Sequence, residues 1–151
     1  MPEPVVDVRV SETTVEVRSY ELDAFDHVNH SIFLNYLEYA RYDALRQGGF
    51  PYEEMIRRGW GVYVVRLEID YLHQARLGDR LRIRTWARSR KRSTLLIEQD
   101  IARADEPEVG IARALVTAVW VDPSGRPMRV PAEVQAALGF GGTGDVATLD
   151  P

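Results

Sequence analysis

The spacing of apolar positions predicts one long helix that follows a strand. Residues 14–20 alternate in polarity, with Val15 and Val17 on one face of the predicted strand. Over residues 31–47, apolar residues return every three or four positions, which is the period of an amphipathic helix. This stripe comprises Phe33, Tyr36 or Leu37, Ala40 and Ala44, with Ile32, Leu34 and Leu45 beside it. Asn29, His30 or Ser31 can cap the helix, and Gly48-Gly49 can end it.

The rest of the chain predicts four more strands and two short helices. The strands are expected at 61–71, 80–87, 94–104 and 110–121, and the helices at 51–58 and 131–138. This element order is typical of the α+β class, with one long helix packed on an antiparallel five-stranded sheet. Because the helix is apolar over much of its surface, we expect a curved sheet to wrap around it.

Composition narrows the class of protein. The length of 151 residues fits one domain, which we place at residues 12–138, followed by a flexible C-terminal tail at 139–151. The net charge of −4 gives no support for nucleic-acid binding. The absence of cysteine excludes disulfides and thiolate catalysis, and it fits a cytosolic protein. The sequence has neither a signal-peptide pattern nor an apolar run long enough to span a membrane.

Residues 23–30 carry most of the reactive side chains. Two acids, two histidines and an amide stand here, directly before the predicted helix. A carboxylate at this place can activate water or attack a carbonyl, and free N–H groups of the helix start can hold an oxyanion. Asp23, Asp26, His27 and His30 can also be interpreted as a metal cluster, but nothing in the sequence fixes a ligand geometry, and we predict no metal.

The sequence resembles the hot-dog-fold acyl-CoA thioesterases, in the branch that includes 4-hydroxybenzoyl-CoA thioesterase and bacterial long-chain acyl-CoA thioesterases. The resemblance covers residues 12–138 in order. It rests on Asp23-Ala24-Phe25-Asp26-His27-Val28-Asn29-His30, Phe33-Leu34, Glu38-Tyr39-Ala40-Arg41, Glu68-Ile69-Asp70-Tyr71-Leu72, Ala75-Arg76-Leu77-Gly78-Asp79, Val121-Asp122 and Gly125-Arg126-Pro127. Two positions depart from the family pattern, because Asp26 replaces a glycine and His30 replaces a second asparagine.

The resemblance implies a hot-dog fold and a role for each residue of the motif. Asp23 would be the general base or the nucleophile, and the alternative is an acid that only shapes a turn. His27 and Asn29 would position Asp23, the water or the thioester, or else cap the helix and bond the loop. The His30 backbone N–H would be the oxyanion donor. No cofactor is implied.

A basic run follows the third predicted strand. It comprises Arg88, Arg90, Lys91 and Arg92, next to Ser93. We interpret it either as a solvated loop or, from the resemblance, as a loop that binds the phosphates of coenzyme A, for which arginine is well suited. Glu38 and Arg41, three residues apart on the helix, can pair with each other. His73 is expected to be structural or exposed.

We therefore predict a cytosolic acyl-CoA thioesterase. The resemblance implies a homo-oligomer, either a dimer or a homotetramer, in which a partner chain completes the site. A hot-dog hydratase or dehydratase is a weaker alternative, because its motif has Asn-Pro after the acid and a histidine where this chain has Val28. A non-catalytic module that binds acyl-CoA is the other alternative.

Overall fold

A computed structural model describes residues 9–140 of the chain. Five strands and three helices follow one another along these residues, with a short 3₁₀ turn after the first strand. They are β1 Ser11–Glu16, the 3₁₀ turn Ser19–Glu21, α1 Ile32–Gln47, α2 Tyr52–Arg57, β2 Gly61–Tyr71, β3 Arg80–Arg90, β4 Thr94–Arg103, β5 Gly110–Val121 and α3 Ala132–Ala137. No helix in this part of the chain combines the length and apolarity that a membrane span needs.

The five strands form one antiparallel sheet in the order β1-β3-β4-β5-β2. Register shifts interrupt the β2–β5, β3–β4 and β4–β5 pairings, and such bulges bend a sheet and increase its twist. Helix α1 packs against this sheet, chiefly near β1 and β3. The predicted hot-dog architecture, a long helix wrapped by a curved antiparallel sheet, is confirmed.

The core forms between the apolar stripe of α1 and the inner face of the sheet. Phe33, Leu37, Ala40 and Ala44 are buried, as the helical spacing predicted. They meet strand residues that are fully buried, among them Leu81, Ile83, Leu95 and Val116. Leu37 has no exposed surface, so truncating it to alanine would cost about 2–5 kcal/mol of folding stability.

Both ends of β1 and the end of β3 differ from the predictions by three or four residues, since β1 ends at Glu16 rather than at residue 20. Strand β1 begins at Ser11 rather than at residue 14, because its first inward positions are the buried Ser11 and Thr13, and polar residues give no alternation signal. Strand β3 continues to Arg90, three residues beyond its predicted end. The predicted basic loop is therefore a strand end followed by a tight turn, in which the Lys91 N–H donates to the Thr94 carbonyl at 2.8 Å.

The predicted tail falls mostly outside the described residues, which end at residue 140. Phe140 is buried, with 4% of its surface exposed, and the guanidinium of Arg90 lies 6.0 Å from its ring centroid.

Candidate active site

The segment between the 3₁₀ turn and α1 is a tight, hydrogen-bonded loop. Leu22 and Val28 form an isolated antiparallel bridge, and the Asp23 N–H donates to the His27 carbonyl at 2.7 Å. Val28 is buried and its N–H donates to the Ala75 carbonyl at 2.9 Å, which ties the loop to the turn before β3. The loop therefore presents Asp23 from a fixed backbone.

Asp26, at the position of the family glycine, has a φ of 61°. That value lies in the left-handed region, which glycine adopts freely and aspartate tolerates better than most residues. Asp26 is exposed, and its N–H donates to the Asp23 carbonyl at 3.2 Å. The loop thus keeps the conformation for which a glycine would be suited, despite the substitution.

The two oxygens of the Asp23 carboxylate have different surroundings. Oδ1 accepts the Phe25 N–H at 2.8 Å and the His27 N–H at 3.3 Å. The Phe25 N–H is the main reason why the pKa of Asp23 lies below its ordinary value, and the His27 N–H lowers it further. Within residues 9–140, Oδ2 takes part in no hydrogen bond. One oxygen thus shapes the turn, while the other stays open for chemistry.

Asp23 borders a surface depression of about 270 Å³ at the start of α1. His27, His30 and Phe33 line it on one side, and residues 71–74 line it on the other. Within the described chain, the His30 N–H makes no hydrogen bond, so it is available to an oxyanion. The structure brings together three of the four predicted catalytic residues: Asp23, His27 and His30.

Asn29, the fourth predicted catalytic residue, faces the helix instead. Its Oδ1 accepts the Ser31 N–H at 3.0 Å and the Ser31 hydroxyl at 2.9 Å. The Ile32 N–H donates to the Asn29 carbonyl at 2.9 Å. These bonds correspond to the loop-bonding alternative, because the helix N-cap is Ser31 and no side chain caps it. The Asn29 side chain does not line the depression.

The sequence did not identify the far wall of the depression as part of a site. The Tyr71 hydroxyl donates to the His30 carbonyl at 2.9 Å, and its ring meets Phe33 edge-on at 5.6 Å. His73 is exposed, as expected, and its Nδ1 lies 2.7 Å from the Gly110 carbonyl oxygen. Tyr71 lies in a motif that carries the family resemblance, but the sequence did not show its contact with the helix start, which spans about 40 residues.

The basic run does not act as one group. Arg88 pairs with Glu98 at 2.7 Å, and Arg90 lies against Phe140. Lys91 and Arg92 are exposed on the turn, and Ser93 is half-buried. Strand β3 begins beside the turn that follows Ala75 and runs about 33 Å to its end at Arg90, which lies within this run. Within one chain, the basic run and Asp23 therefore lie at opposite ends of the sheet.

A second cavity, of about 260 Å³, lies between α1 and the sheet. Glu38 and Arg41 are on its wall, but among the described residues they form no ion pair with each other. This corrects the predicted pairing. Arg41 is half-buried on this wall, and its Nη1 donates to Gln99 Oε1 at 3.0 Å.

No group of three or more acidic or histidine side chains within residues 9–140 is arranged to hold a metal ion.

Comparison with known proteins identifies the family. Residues 17–138 match the Thioesterase-like superfamily. An acyl-acyl carrier protein thioesterase, ATL2, of Arabidopsis thaliana is 33% identical over 128 residues, which cover 85% of this chain and 68% of the plant protein. The long-chain acyl-CoA thioesterase FadM of Escherichia coli is 32% identical over 111 residues, covering 74% of this chain and 83% of FadM.

Solved structures agree with this result. A hypothetical protein from Thermus thermophilus has a TM-score of 0.78 at 30% identity, covering 85% of this chain and 96% of its own. A thioesterase from the same species, complexed with coenzyme A and Zn, has a TM-score of 0.71 at 28% identity, covering 84% of this chain and 95% of its own. The predicted enzyme class is confirmed: this chain belongs to the Thioesterase-like superfamily and is a thioester hydrolase.

Proposed function

We propose that the protein hydrolyses acyl-CoA at the depression beside Asp23, as expected for a cytosolic enzyme of this family. The thioester carbonyl would lie at the start of α1, with its oxygen toward the His30 N–H. As general base, Asp23 would take a proton from the water that attacks the carbonyl carbon. As nucleophile, it would attack that carbon itself and form a mixed anhydride, which water then cleaves. In both routes the C–S bond breaks, and coenzyme A leaves as its thiol after protonation.

One observation carries this proposal: an ionised carboxylate with one fixed and one open oxygen stands beside an N–H group that is free within the described chain. The lowered pKa keeps Asp23 ionised at neutral pH, as both routes require.

The experiment compares Asp23→Asn with Asp26→Asn. An amide oxygen at position 23 can still accept the Phe25 and His27 N–H groups, so the loop should keep its shape. We expect kcat to fall by roughly 10²–10⁴-fold, the usual effect of losing a positioned base. The control removes the same charge three residues away, and asparagine tolerates the left-handed backbone there. Near-parental hydrolysis by a folded Asp23→Asn variant would remove Asp23 from the mechanism.

A single turnover in ¹⁸O-labelled water helps to separate the two routes. A general base directs water to the thioester carbon, so the first product acid carries the label and Asp23 does not. If Asp23 is the nucleophile and water cleaves the anhydride at the side-chain carbon, the label enters Asp23 and the first product acid is unlabelled. Cleavage at the acyl carbon labels the product in either case. Mass spectrometry of the rapidly quenched protein then decides, because only the nucleophilic route acylates Asp23.

The proposal also includes association through the free edge of β2. This strand is at one end of the sheet order, and a free edge can pair with a second chain. Tyr63, Val64 and Val65 leave 59%, 46% and 61% of their surface exposed along it. A two-fold axis at the middle of β2 would pair the strands antiparallel, as isologous dimers do.

Such pairing would bring separated features together. The depression borders the end of β2 at Tyr71, and the two-fold axis places that end beside the start of β2 in the other subunit. Near the start of β2, Tyr63 pairs with Val119 of β5, and Val119 pairs with Thr94 of β4. Thr94 directly follows the basic run. The Asp23 depression of one subunit would then face the basic turn of its partner, where the phosphates of coenzyme A can bind.

Val65→Lys tests the edge, because lysine on an edge strand opposes pairing. We expect light scattering to show a shift toward the 17.2 kDa monomer, together with loss of activity. Ile56→Lys is the control, because Ile56 is 67% exposed on α2 and takes no part in a strand. A parent that is fully active as a monomer would exclude a shared site.

Acyl carrier protein is the alternative carrier of the acyl group. The observation that favours it is the name of the Arabidopsis thaliana relative, an acyl-acyl carrier protein thioesterase at 33% identity. Rates with one acyl group on coenzyme A and on acyl carrier protein decide between them. A kcat/KM at least tenfold higher for the protein-bound thioester would reassign the substrate.

A further inference from the structure

The cavity between α1 and the sheet is mainly apolar, with the half-buried cation Arg41 and the exposed Glu38 on its wall. Its walls include Leu45, Met55, Val62, Ile97, Ala118 and Trp120. Arg41, on α1, is the cationic residue that lines it. The volume of about 260 Å³ is near the lower end of the range for small-molecule sites, roughly 300–1,000 Å³. A group that fills it must be small and mainly apolar.

The guanidinium of Arg41 keeps hydrogen-bonding capacity toward the cavity. Within residues 9–140, its one hydrogen bond is from Nη1 to Gln99 Oε1, and it has no carboxylate partner. Burial is the main reason why the pKa of Arg41 lies below its ordinary value. Gln99 is held in place by two further bonds, from its Nε2 to the Leu37 carbonyl and to the Thr85 hydroxyl. Arg41 is thus a donor held on the wall of a mainly apolar space, with N–H groups left for a ligand oxygen.

Glu38 determines which ligand charge the cavity can accept. It is exposed, and it lies on the cavity wall one helical turn before Arg41. The two side chains together are electrically neutral. A ligand carboxylate in the cavity would meet the negative charge of Glu38, whereas a hydroxyl or ketone oxygen can accept from Arg41 without that repulsion.

Resting on the proposed thioesterase function and dimer, we propose that this cavity, which borders the start of β2, receives the acyl group of a thioester bound at the Asp23 depression of the other subunit. We propose that Arg41 selects acyl groups bearing a neutral oxygen over hydrocarbon groups of equal length. The class of substrate is then a hydroxyacyl or ketoacyl thioester. Arg41 acts here as a specificity residue, remote from bond cleavage.

The test compares octanoyl-CoA with the series of hydroxyoctanoyl-CoA and keto-octanoyl-CoA isomers, in which the oxygen moves along the chain. We expect kcat/KM of the parent for the best isomer to exceed that for octanoyl-CoA by roughly 10–100-fold, the usual effect of one hydrogen bond to a charged group. Arg41→Met should bring this ratio to about one by slowing only the oxygenated substrate. A purely structural role would lower both rates together.

Two results would overturn the proposal: a parent without preference for any oxygenated isomer, or an Arg41→Met variant that keeps the preference. If Arg41→Met does not fold, Glu38→Gln replaces it, since Glu38 is exposed. This variant should admit an octanoyl group that ends in a carboxylate, which the parent should reject. Equal rejection by both proteins would contradict the role of the charge pair.

The proposed function fails separately, if a folded parent hydrolyses none of these thioesters. Binding of non-hydrolysable thioether analogues, measured by calorimetry, then decides the role of the cavity alone. Tighter binding of the hydroxylated analogue by the parent, lost in Arg41→Met, supports the inference. Equal binding of the hydroxylated and plain analogues overturns it.

Discussion

Replacing Gln99 by leucine tests how α1 is held against the sheet. Gln99 is 1% exposed and makes three hydrogen bonds, with Arg41 at 3.0 Å, the Leu37 carbonyl at 2.9 Å and the Thr85 hydroxyl at 3.0 Å. The first two bonds connect β4 to the helix, and the third connects it to β3. Leucine is close in volume to glutamine, so the substitution removes the bonds and leaves little cavity.

The magnitude follows from these partners. Each of the two bonds between uncharged groups contributes about 1 kcal/mol, and the bond to the guanidinium contributes about 1.5–3 kcal/mol. Burying leucine in place of the amide returns about 1–2 kcal/mol. The Leu37 carbonyl still belongs to the helix, and the Thr85 hydroxyl can rotate, so losing the bond to Gln99 costs little at these two groups. We therefore expect a net loss of about 2–3 kcal/mol, chiefly from leaving Arg41 unpaired.

The assay is urea unfolding at one fixed protein concentration, because association also contributes to apparent stability. Gln135→Leu is the matched control, since Gln135 makes one side-chain bond, to the Val130 carbonyl at 2.8 Å, and should lose about 1 kcal/mol or less. In Arg41→Met/Gln99→Leu, the combined loss should be smaller than the two single losses together by about 1–2 kcal/mol. A Gln99→Leu protein as stable as the control variant would refute this account.

Two further predictions concern pH and the basic turn. Because backbone N–H groups lower the pKa of Asp23, its carboxylate remains ionised above its ordinary pKa and is neutralised only below it. The profile of kcat/KM between about pH 5 and 8 should therefore show no acid limb from Asp23; a limb in this range that persists in His27→Gln would contradict this prediction. Lys91→Ala/Arg92→Ala should raise KM for acyl-CoA with little change in kcat, whereas hydrolysis of a short thioester without the nucleotide should not change. A parental KM in that variant would identify the turn as merely solvated.

Helices and strands could be predicted where buried and exposed side chains follow one regular period along the sequence. The stripe of α1 and the middle of β5 are such cases. The end of β3 is not, because the outer face there is buried beneath charges. Trp86 is 1% exposed under Arg84, whose guanidinium lies 5.7 Å from the ring, and Arg88 pairs with Glu98. Charged residues that cover a sheet resemble a solvated loop in the sequence.

The site could be predicted only where its residues are neighbours in the chain. Asp23, His27 and His30 lie within one short motif, and the structure brings them to one depression. Tyr71 and His73 reach that depression only through the fold. Arg41 was visible as part of a motif, but an ion pair within the helix was the simpler interpretation. Its position between Ala40 and Ala44 was the available sign that it points inward.

A mixture of two variants, each impaired on the preferred oxygenated substrate, can show whether the site is shared. In the proposed dimer, Asp23 of one subunit acts with Arg41 of the other. A mixed dimer of Asp23→Asn and Arg41→Met subunits would then hold one doubly altered site and one intact site. Random exchange makes about half of the dimers mixed, so the mixture should recover roughly a quarter of parental activity on the preferred oxygenated substrate. If each site lies within one chain, every subunit carries a defect, and mixing restores nothing. That outcome would separate the Arg41 cavity of each subunit from the Asp23 depression of its partner.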